Sequence, residues 1–476
     1  MRERRRTRST ALILTALSLL LAPLAMASDD PYRTESLTPP DHRSRWIPAN
    51  TVDPPTPVLE AVPSSSEALT LAQLTDLALR NNPRTRQAWA NARFEAAQYG
   101  IAKSALMPQV DLVLNASRAR AISNTSGVAT PEQNRYGPSV SLSYVLYDFG
   151  ARQAEVEAQA YRVLAANLTQ NRVLQEVVFQ VEQAYFRLLG VEQLVRTGNQ
   201  VLKSMEATLD AARRRQQAGL ATIGDVFRSE TAVAQAILNL RRAEGEVAKA
   251  RGQIAIACGV PVTTPLRIQP LPNQLAGAQM KETLESMLKK ASASRPDMAA
   301  AESRVRAARA GVTAAASAGM PSVELRLEAA RQYYTDERPF AYGNLIGFNV
   351  RIPLFDGWRD DYAVRRARAQ VKQAEAARDL LYTQTELDVW QAYYDLQTAT
   401  SGIAATKALV QGATQSASVA AARYQLGVGS LLDLLTAQAD ETNALVQQIQ
   451  SHLDWYTALA RLNFALGASG HFGTTP

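Results

Sequence analysis

The chain repeats itself, and the repeated unit is a strand that feeds a very long helix. "NNP" ending at Pro83 and "SRP" ending at Pro296 lie 213 residues apart, as do "LMP" at Pro108 and "GMP" at Pro321. Further along, "LYDFG" and "LFDG" place Asp148 and Asp356 at an offset of 208. The same offset relates "VEQAYFRLL" from Val181 to "VWQAYYDLQ" from Val389, "RQQAGLATIGDV" to "RYQLGVGSLLDL", and Gly259 to Gly467. The change from 213 to 208 makes one loop five residues shorter in the second half. Landmarks that keep one offset over so long a stretch mark an internal duplication.

Each half contains a heptad pattern. Val156, Val163, Val177, Ala184, Val191 and Met205 hold one seam position. Ala160, Leu174, Val181, Leu188, Val195, Leu202 and Leu209 hold the other, with Asn167, Gln170 and Gly198 as the soft spots. Apolar residues at this period make a coiled-coil seam. The pattern predicts a helix over 152–217, about 100 Å long at 1.5 Å per residue, and a counterpart over 359–425. Shorter, alanine-rich helices are expected over about 69–106, 225–258, 281–319 and 433–466.

Hairpins precede the long helices, over 109–147 and 322–355. Val110, Leu112, Leu114 and Ala116 alternate with Asp111, Val113, Asn115 and Ser117; Val140, Leu142, Tyr144 and Leu146 do the same, with Val145 out of phase. The second half alternates Val323, Leu325, Leu327 and Ala329, then Ile346, Phe348, Val350 and Ile352, against polar or small residues. Period two with one apolar face is strand patterning. A soluble sheet packed on helices would bury such a face equally well. Strand length fits a bilayer, where about 9–11 tilted residues span. Tyr144, Tyr147, Tyr333, Tyr334, Phe340, Tyr342 and Phe355 sit near strand ends, where interfacial aromatics gather. Four strands cannot close a barrel, which takes about eight, and spanning strands tolerate no free edge in lipid. If the strands span, several protomers pool them.

The first residues argue for export. Arg2, Arg4, Arg5, Arg6 and Arg8 precede an apolar run from Ala11 to Leu21 and then Ala25-Met26-Ala27. This order reads as a signal peptide over 1–27 with an A-x-A site and a mature start at Ser28. Without that segment, 46 basic and 43 acidic residues remain, and no nucleic-acid partner is implied. No lipobox cysteine follows the run; the only cysteine is Cys258, expected as a packing residue at a helix end. Past residue 27 no apolar run reaches the ~18 residues of a membrane helix. Eight prolines between Pro31 and Pro63 predict an extended arm over 28–67. Two repeats, 68–260 and 281–467, are joined by a linker over 261–280 and closed by a tail over 468–476.

Asp148-Phe149-Gly150 is also the trigram of the kinase magnesium loop. That reading needs a glycine-rich loop, a strand lysine and H-R-D, and the sequence has none. Asp148 and Asp356 instead stand between strand and helix, where a carboxylate accepts first-turn N–H groups. Gly150 and Gly357 permit the abrupt change of direction.

In order, "YDFG" and "PLFDG" at the strand exits, "QAYFRLL" and "QAYYDL" on the long helices, and "QAGLATIGDV" and "YQLGVGSLLDL" at the helix tips resemble the TolC-type outer-membrane factors over about residues 68–467. The resemblance implies a mainly α chain with a small β part: four strands per chain of a trimeric, twelve-stranded outer-membrane β-barrel, continued by a coiled-coil helical tunnel in the periplasm. It implies a homotrimer in outer-membrane lipid, a periplasmic adaptor, and an inner-membrane ABC or proton-driven transporter. No catalysis and no cofactor are implied.

Two sites carry over by position. Gly219 and Leu220, with Gly427 and Val428, match the turns that the family offers to adaptor tips, though each pair could be a plain helix turn. Tyr424 matches the gate tyrosine, Asp225 its hydrogen-bonding partner on the neighbouring coil, and Asp433 a pore-facing aspartate. N-capping would explain both aspartates equally. The sequence departs from the family at Gly429, where a gate arginine is expected, and at Thr436, in place of a second ring aspartate. Arg213, Arg214 and Arg215 read as a solvated helix end near the tip, with adaptor contact as the alternative, and Trp390 and Trp455 as packing residues. His42, His452 and His471 are scattered and suggest no metal cluster.

The function these residues favour is an exit duct for type I secretion of a toxin or haemolysin-like protein. A small-molecule or metal efflux duct has the same fold, and a soluble periplasmic coiled-coil scaffold is a third reading. The missing lipobox favours the first, because many drug-efflux ducts resemble lipoproteins.

Overall fold

A computed structural model describes residues 38–45, 68–120, 132–270, 282–334 and 340–468. The leader, most of the proline-rich arm, the linker over 271–281 and the end of the tail lie outside the described residues. The described elements run α1 (Leu71–Asn81), α2 (Pro83–Ser104), β1 (Gln109–Ala119), β2 (Gln133–Tyr147), α3 (Ala151–Gln217) and α4 (Ile223–Ala257). The second half repeats them as α5 (Leu284–Ser294), α6 (Pro296–Ala318), β3 (Ser322–Tyr334), β4 (Ala341–Arg351), α7 (Arg359–Gln425) and α8 (Leu431–Ala465). The described residues divide into two compact units: Ala92–Val163 with Arg306–Gln370, and Asp41–Asn91 with Leu164–Val305 and the residues from Val371 on.

The first unit holds one antiparallel sheet in the order β1-β2-β3-β4. Val110 faces Leu142, which faces Leu327, which faces Ile346, so the apolar alternation of all four strands falls on one face. Leu112, Leu114, Ile346 and Phe348 are two-thirds or more exposed on it. A register shift between Val145 and Tyr147 absorbs the residue that breaks the alternation. β1 and β4 each pair on one side only. No described helix is long and apolar enough to cross a membrane.

The second unit is built on the heptad seam. Val177, Val181 and Leu188 are fully buried with Phe186, Leu74 and Ile254. Each such side chain contributes about 2–3 kcal/mol by leaving water. A second cluster gathers Met287, Val389, Leu396, Trp455 and Leu462. Cys258 is the C-cap of α4, wholly buried, and its thiol is pushed up to about 12 by that burial.

Three expectations are corrected. The helices expected over 69–106 and 281–319 are each two helices. Asn82 and Arg295 adopt extended backbone before Pro83 and Pro296, because proline disfavours the α region for the residue before it. Residues 38–45, expected within an extended arm, form a turn. In the second unit, Asp41 Oδ1 accepts from the Arg43 and Ser44 amides, and Gln170 Nε2 donates to the Ser44 carbonyl. Buried Gln170 is therefore a docking point rather than only a soft spot. Trp390, expected to pack, is half exposed, while Trp455 is buried.

The break at Arg295 carries a buried ion network. Arg295, with a side chain only 3% exposed, donates to Asp297 at 2.7 Å and to Asp388 at 3.1 Å, and Arg172 reaches Asp297 at 3.4 Å. Burial pushes Arg172 down to about 10 despite the Asp297 charge. Burial alone would raise the Asp297 carboxyl, but hydrogen bonds from Arg295 and the charges of Arg172 and Arg295 hold it below its ordinary value.

Candidate functional site at the helix tips

At the far end of each repeat a long helix ends, turns and restarts. Leu220 N–H donates to the Arg215 carbonyl at 2.8 Å and Gly219 N–H to Gln216 at 3.0 Å; Val428 and Gly427 make the equivalent bonds to Arg423 and Tyr424 at 3.0 and 3.1 Å. This pair of bonds defines a Schellman cap. It requires positive φ, and Gly219 and Gly427 have φ of 72° and 83°. Thr222 and Ser430 then N-cap α4 and α8. Leu220 and Val428 are left about two-thirds exposed at the turns.

Asp225 and Asp433 occupy the same place, three residues past those caps. The Asp225 carboxylate accepts from Thr222 N–H and its hydroxyl, each at 3.0 Å, closing a capping box. The Asp433 amide donates to Ser430 Oγ at 3.1 Å, and its side chain is free of that duty. Asp433 lines a groove of about 490 Å³ with Gly412, Gln415, Val419, Arg423 and Gly429.

Tyr424 is buried on α7 against Leu431 and Leu434. Its hydroxyl has no hydrogen-bond partner among the described residues, since Asp225 is turned toward Thr222. Burial pushes the phenol above its ordinary value; the Arg215 guanidinium pulls it down and the Asp225 carboxylate adds to the rise. Gly429 explains its own identity. A Cβ there would lie 3.0 Å from Arg423 Cβ and 3.2 Å from the Tyr424 nitrogen, so any side chain would press on the last turn of α7.

Arg215 was not legible as a site residue. Arg213 and Arg214 pair with Glu230 and Asp210 at the surface, as a solvated helix end would. Arg215 does not. Its Nη1 donates to the Tyr424 carbonyl, its guanidinium lies 4.8 Å from the Tyr424 ring centroid, and it rests 3.7 Å from where a Cβ on Gly427 would stand. One side chain from the first tip thus holds the second. The partners are 209 residues apart, and no local sequence signal connects them.

The strand exits are in the first unit. Asp148 accepts from the Gly150 amide at 3.2 Å, the Arg152 amide at 3.1 Å and Arg152 Nε at 2.7 Å. Arg152 also donates to the Ala105 and Val145 carbonyls at 2.9 and 2.7 Å, tying helix end to strand end. Asp356 accepts from the Asp360 amide at 2.9 Å. Gly150 and Gly357 have positive φ, with Phe149 and Trp358 beside them.

A duplicated coiled coil with tight tips, together with a four-stranded sheet that exposes its apolar face, defines an outer-membrane channel component rather than an enzyme. The model of the outer membrane efflux protein family matches residues 74–260 and 287–468, once for each repeat, and the chain belongs to that family. It is 30% identical over 441 residues to Protein CyaE of Bordetella pertussis, covering 92% of this chain and 90% of that one. It is 25% identical over 412 residues to the outer membrane efflux protein BepC of Brucella suis, covering 86% and 87%. A crystal structure of a membrane protein from Pseudomonas aeruginosa superposes with a TM-score of 0.75 at 25% identity, over 84% of this chain and 90% of that one. The chain's own part of the fold class read from the sequence, a mainly helical chain in two repeats with one four-stranded antiparallel sheet, is the fold found.

Proposed function

We propose that the chain is the exit duct of a type I secretion system that releases a toxin or haemolysin-like protein. In this reading a signal peptide is cleaved before Ser28, three chains assemble in the outer membrane, and their helices form a periplasmic tunnel. Gly219, Leu220, Gly427 and Val428 meet a periplasmic adaptor, which links the duct to an inner-membrane ABC transporter. Tyr424, Asp225 and Asp433 form the periplasmic gate. Asp148, Gly150, Asp356 and Gly357 make the strand-to-helix transitions.

The observation that carries the channel is the sheet. Its apolar face is exposed, and β1 and β4 lack an outer neighbour. Backbone groups in lipid must all be paired, so the two edges fit against other copies of the chain. For the cargo, support comes from the match to Protein CyaE, which exceeds in identity and coverage the match to BepC. BepC is named for efflux, and its similarity keeps a small-molecule or metal efflux duct as the second reading.

Deleting the gene in the host separates the two. The secretion reading expects one or more large polypeptides to vanish from the culture medium while drug and metal susceptibility stay unchanged. Raised susceptibility with an unchanged set of medium proteins would favour efflux.

A further inference from the structure

The exposed apolar face of the sheet carries two charged side chains among the described residues, and they sit at the same end. By strand register, Asp111, Glu324, Arg326 and Glu328 lie on the polar face. Arg118 on β1 and Arg331 on β3 fall in phase with Leu112 and Leu327, on the apolar face. Both are close to the hairpin turns, remote from the strand ends that lead into helices. Arg118 pairs with Glu132. Arg331 forms no ion pair with a carboxylate among the described residues, and its Nε is buried without a hydrogen-bond partner.

Aromatic rings surround Arg331 instead. Its guanidinium carbon lies 4.2 Å from the Phe340 centroid, 5.1 Å from Tyr333 and 5.3 Å from Tyr342. Tyr136 stacks on Tyr333 at 5.5 Å and extends the collar to β2. Rings bind the faces of a guanidinium. Its terminal N–H groups can still donate to the oxygens of a phosphate.

Depth identifies the occupant. Val323 to Arg331 is about 26 Å of strand at ~3.3 Å per residue, or roughly 20 Å along the normal at a tilt near 40°. Arg331 therefore stands at the rim of an apolar band about 25 Å tall. Arginine is costly at the bilayer midplane and nearly tolerated at that rim. A lipid-facing cation there, held by rings and with no carboxylate partner among the described residues, meets the headgroup of whatever lipid lies against the barrel.

We propose that Arg331, within the collar of Tyr333, Phe340 and Tyr342, binds the phosphate of an outer-leaflet lipid. The proposal rests on reading the sheet as part of an outer-membrane barrel, with the hairpin turns outward.

The test uses the detergent-purified full chain and native mass spectrometry. The probes are bis-phosphorylated lipid A, the same lipid dephosphorylated, and inorganic phosphate. Unchanged oligomer mass and circular dichroism establish that each variant is folded. The expected result is retention of the phosphorylated lipid, about tenfold weaker in Arg331→Gln and partly restored in Arg331→Lys, with little retention of the dephosphorylated form. Equal retention by Arg331→Gln, or equal retention of both lipids, overturns it. So does inorganic phosphate competing as well as the lipid does, which would make the site a free-anion site. A wild-type chain that stays water-soluble and never enters a bilayer defeats the barrel reading itself, an outcome distinct from these.

Discussion

The Arg215 guanidinium, from the last turn of α3, donates to the backbone carbonyl of Tyr424 in the last turn of α7, and the same carbonyl accepts the Gly427 N–H of the second tip. The first repeat therefore grips the second where the helices end. Gly429 offers no side chain to do so, and the Tyr424 hydroxyl is unpartnered among the described residues. Arg215 is the cross-repeat bond at the turns themselves, and Gln438 adds bonds to Ser204 and Thr208 further along the helices.

Arg215→Ala should free the second tip. A charge-assisted hydrogen bond and a partly exposed cation–π contact together contribute about 2 kcal/mol. In a planar bilayer the variant should show a larger and more frequent open conductance than the wild type, and Arg215→Lys an intermediate one. Identical single-channel records for the wild type and the alanine variant would remove Arg215 from the gate.

Asp433→Ala tests the charge in the groove beside Gly429. On threefold symmetry one aspartate becomes three like charges around an axis, a trap for cations. The variant should conduct cations more freely and resist block by polyvalent cations added on the tip side. Unchanged conductance, selectivity and block would remove Asp433 from the gate.

Arg295→Met should be severely destabilising. It leaves Asp297 and Asp388 facing a neutral side chain, with Arg172 still at 3.4 Å from Asp297. Breaking a buried pair costs about 3–5 kcal/mol, and the remaining arginine places this case at the low end. Thermal unfolding in detergent reads it as a midpoint several degrees lower. Changing Arg172 together with Arg295, Asp297 and Asp388 to apolar residues should recover most of the loss, because no buried charge is then left unpaired.

Glu182 predicts a pH dependence. It is buried on α3, and burial raises its carboxyl from 4.5 to about 7. The folded chain holds this proton more tightly than the unfolded chain. Its contribution is therefore complete below pH 4.5 and is lost as pH rises through about 7. Glu182→Gln should flatten the fall in stability across that window and raise stability at pH 8 by up to roughly 3 kcal/mol. Parallel unfolding curves for both proteins from pH 5 to 8 would contradict it.

The helices and strands were legible from two periods in the chain, while the barrel that the strands share came from the family resemblance. Val177, Val181 and Leu188 mark the stretch of the seam that the structure buries completely, and Leu112, Leu327, Ile346 and Phe348 mark one face of a sheet. Val145 was legible as an exception but not as a bulge, because bulges show only when a partner strand sets the register. Pro83 and Pro296 are landmarks of the repeat, and each also ends one helix at the residue before it. Proline is welcome at the first position of a helix, so each marks a restart rather than an interior kink. At the tips, the turns follow from Gly219 and Gly427. The grip of Arg215 on Tyr424 does not, because a bond between residues 209 positions apart leaves no local trace. The collar around Arg331 needed the register of β3 with β4 before its rings could be seen to converge.

The central claim is that these four strands are a share of a larger barrel. The direct measurement is the number of chains per particle, by native mass spectrometry of protein extracted from the outer membrane in mild detergent. Three chains per particle, recovered from the outer-membrane fraction alone, is the expected result. A single chain, soluble in buffer without detergent, would contradict the account.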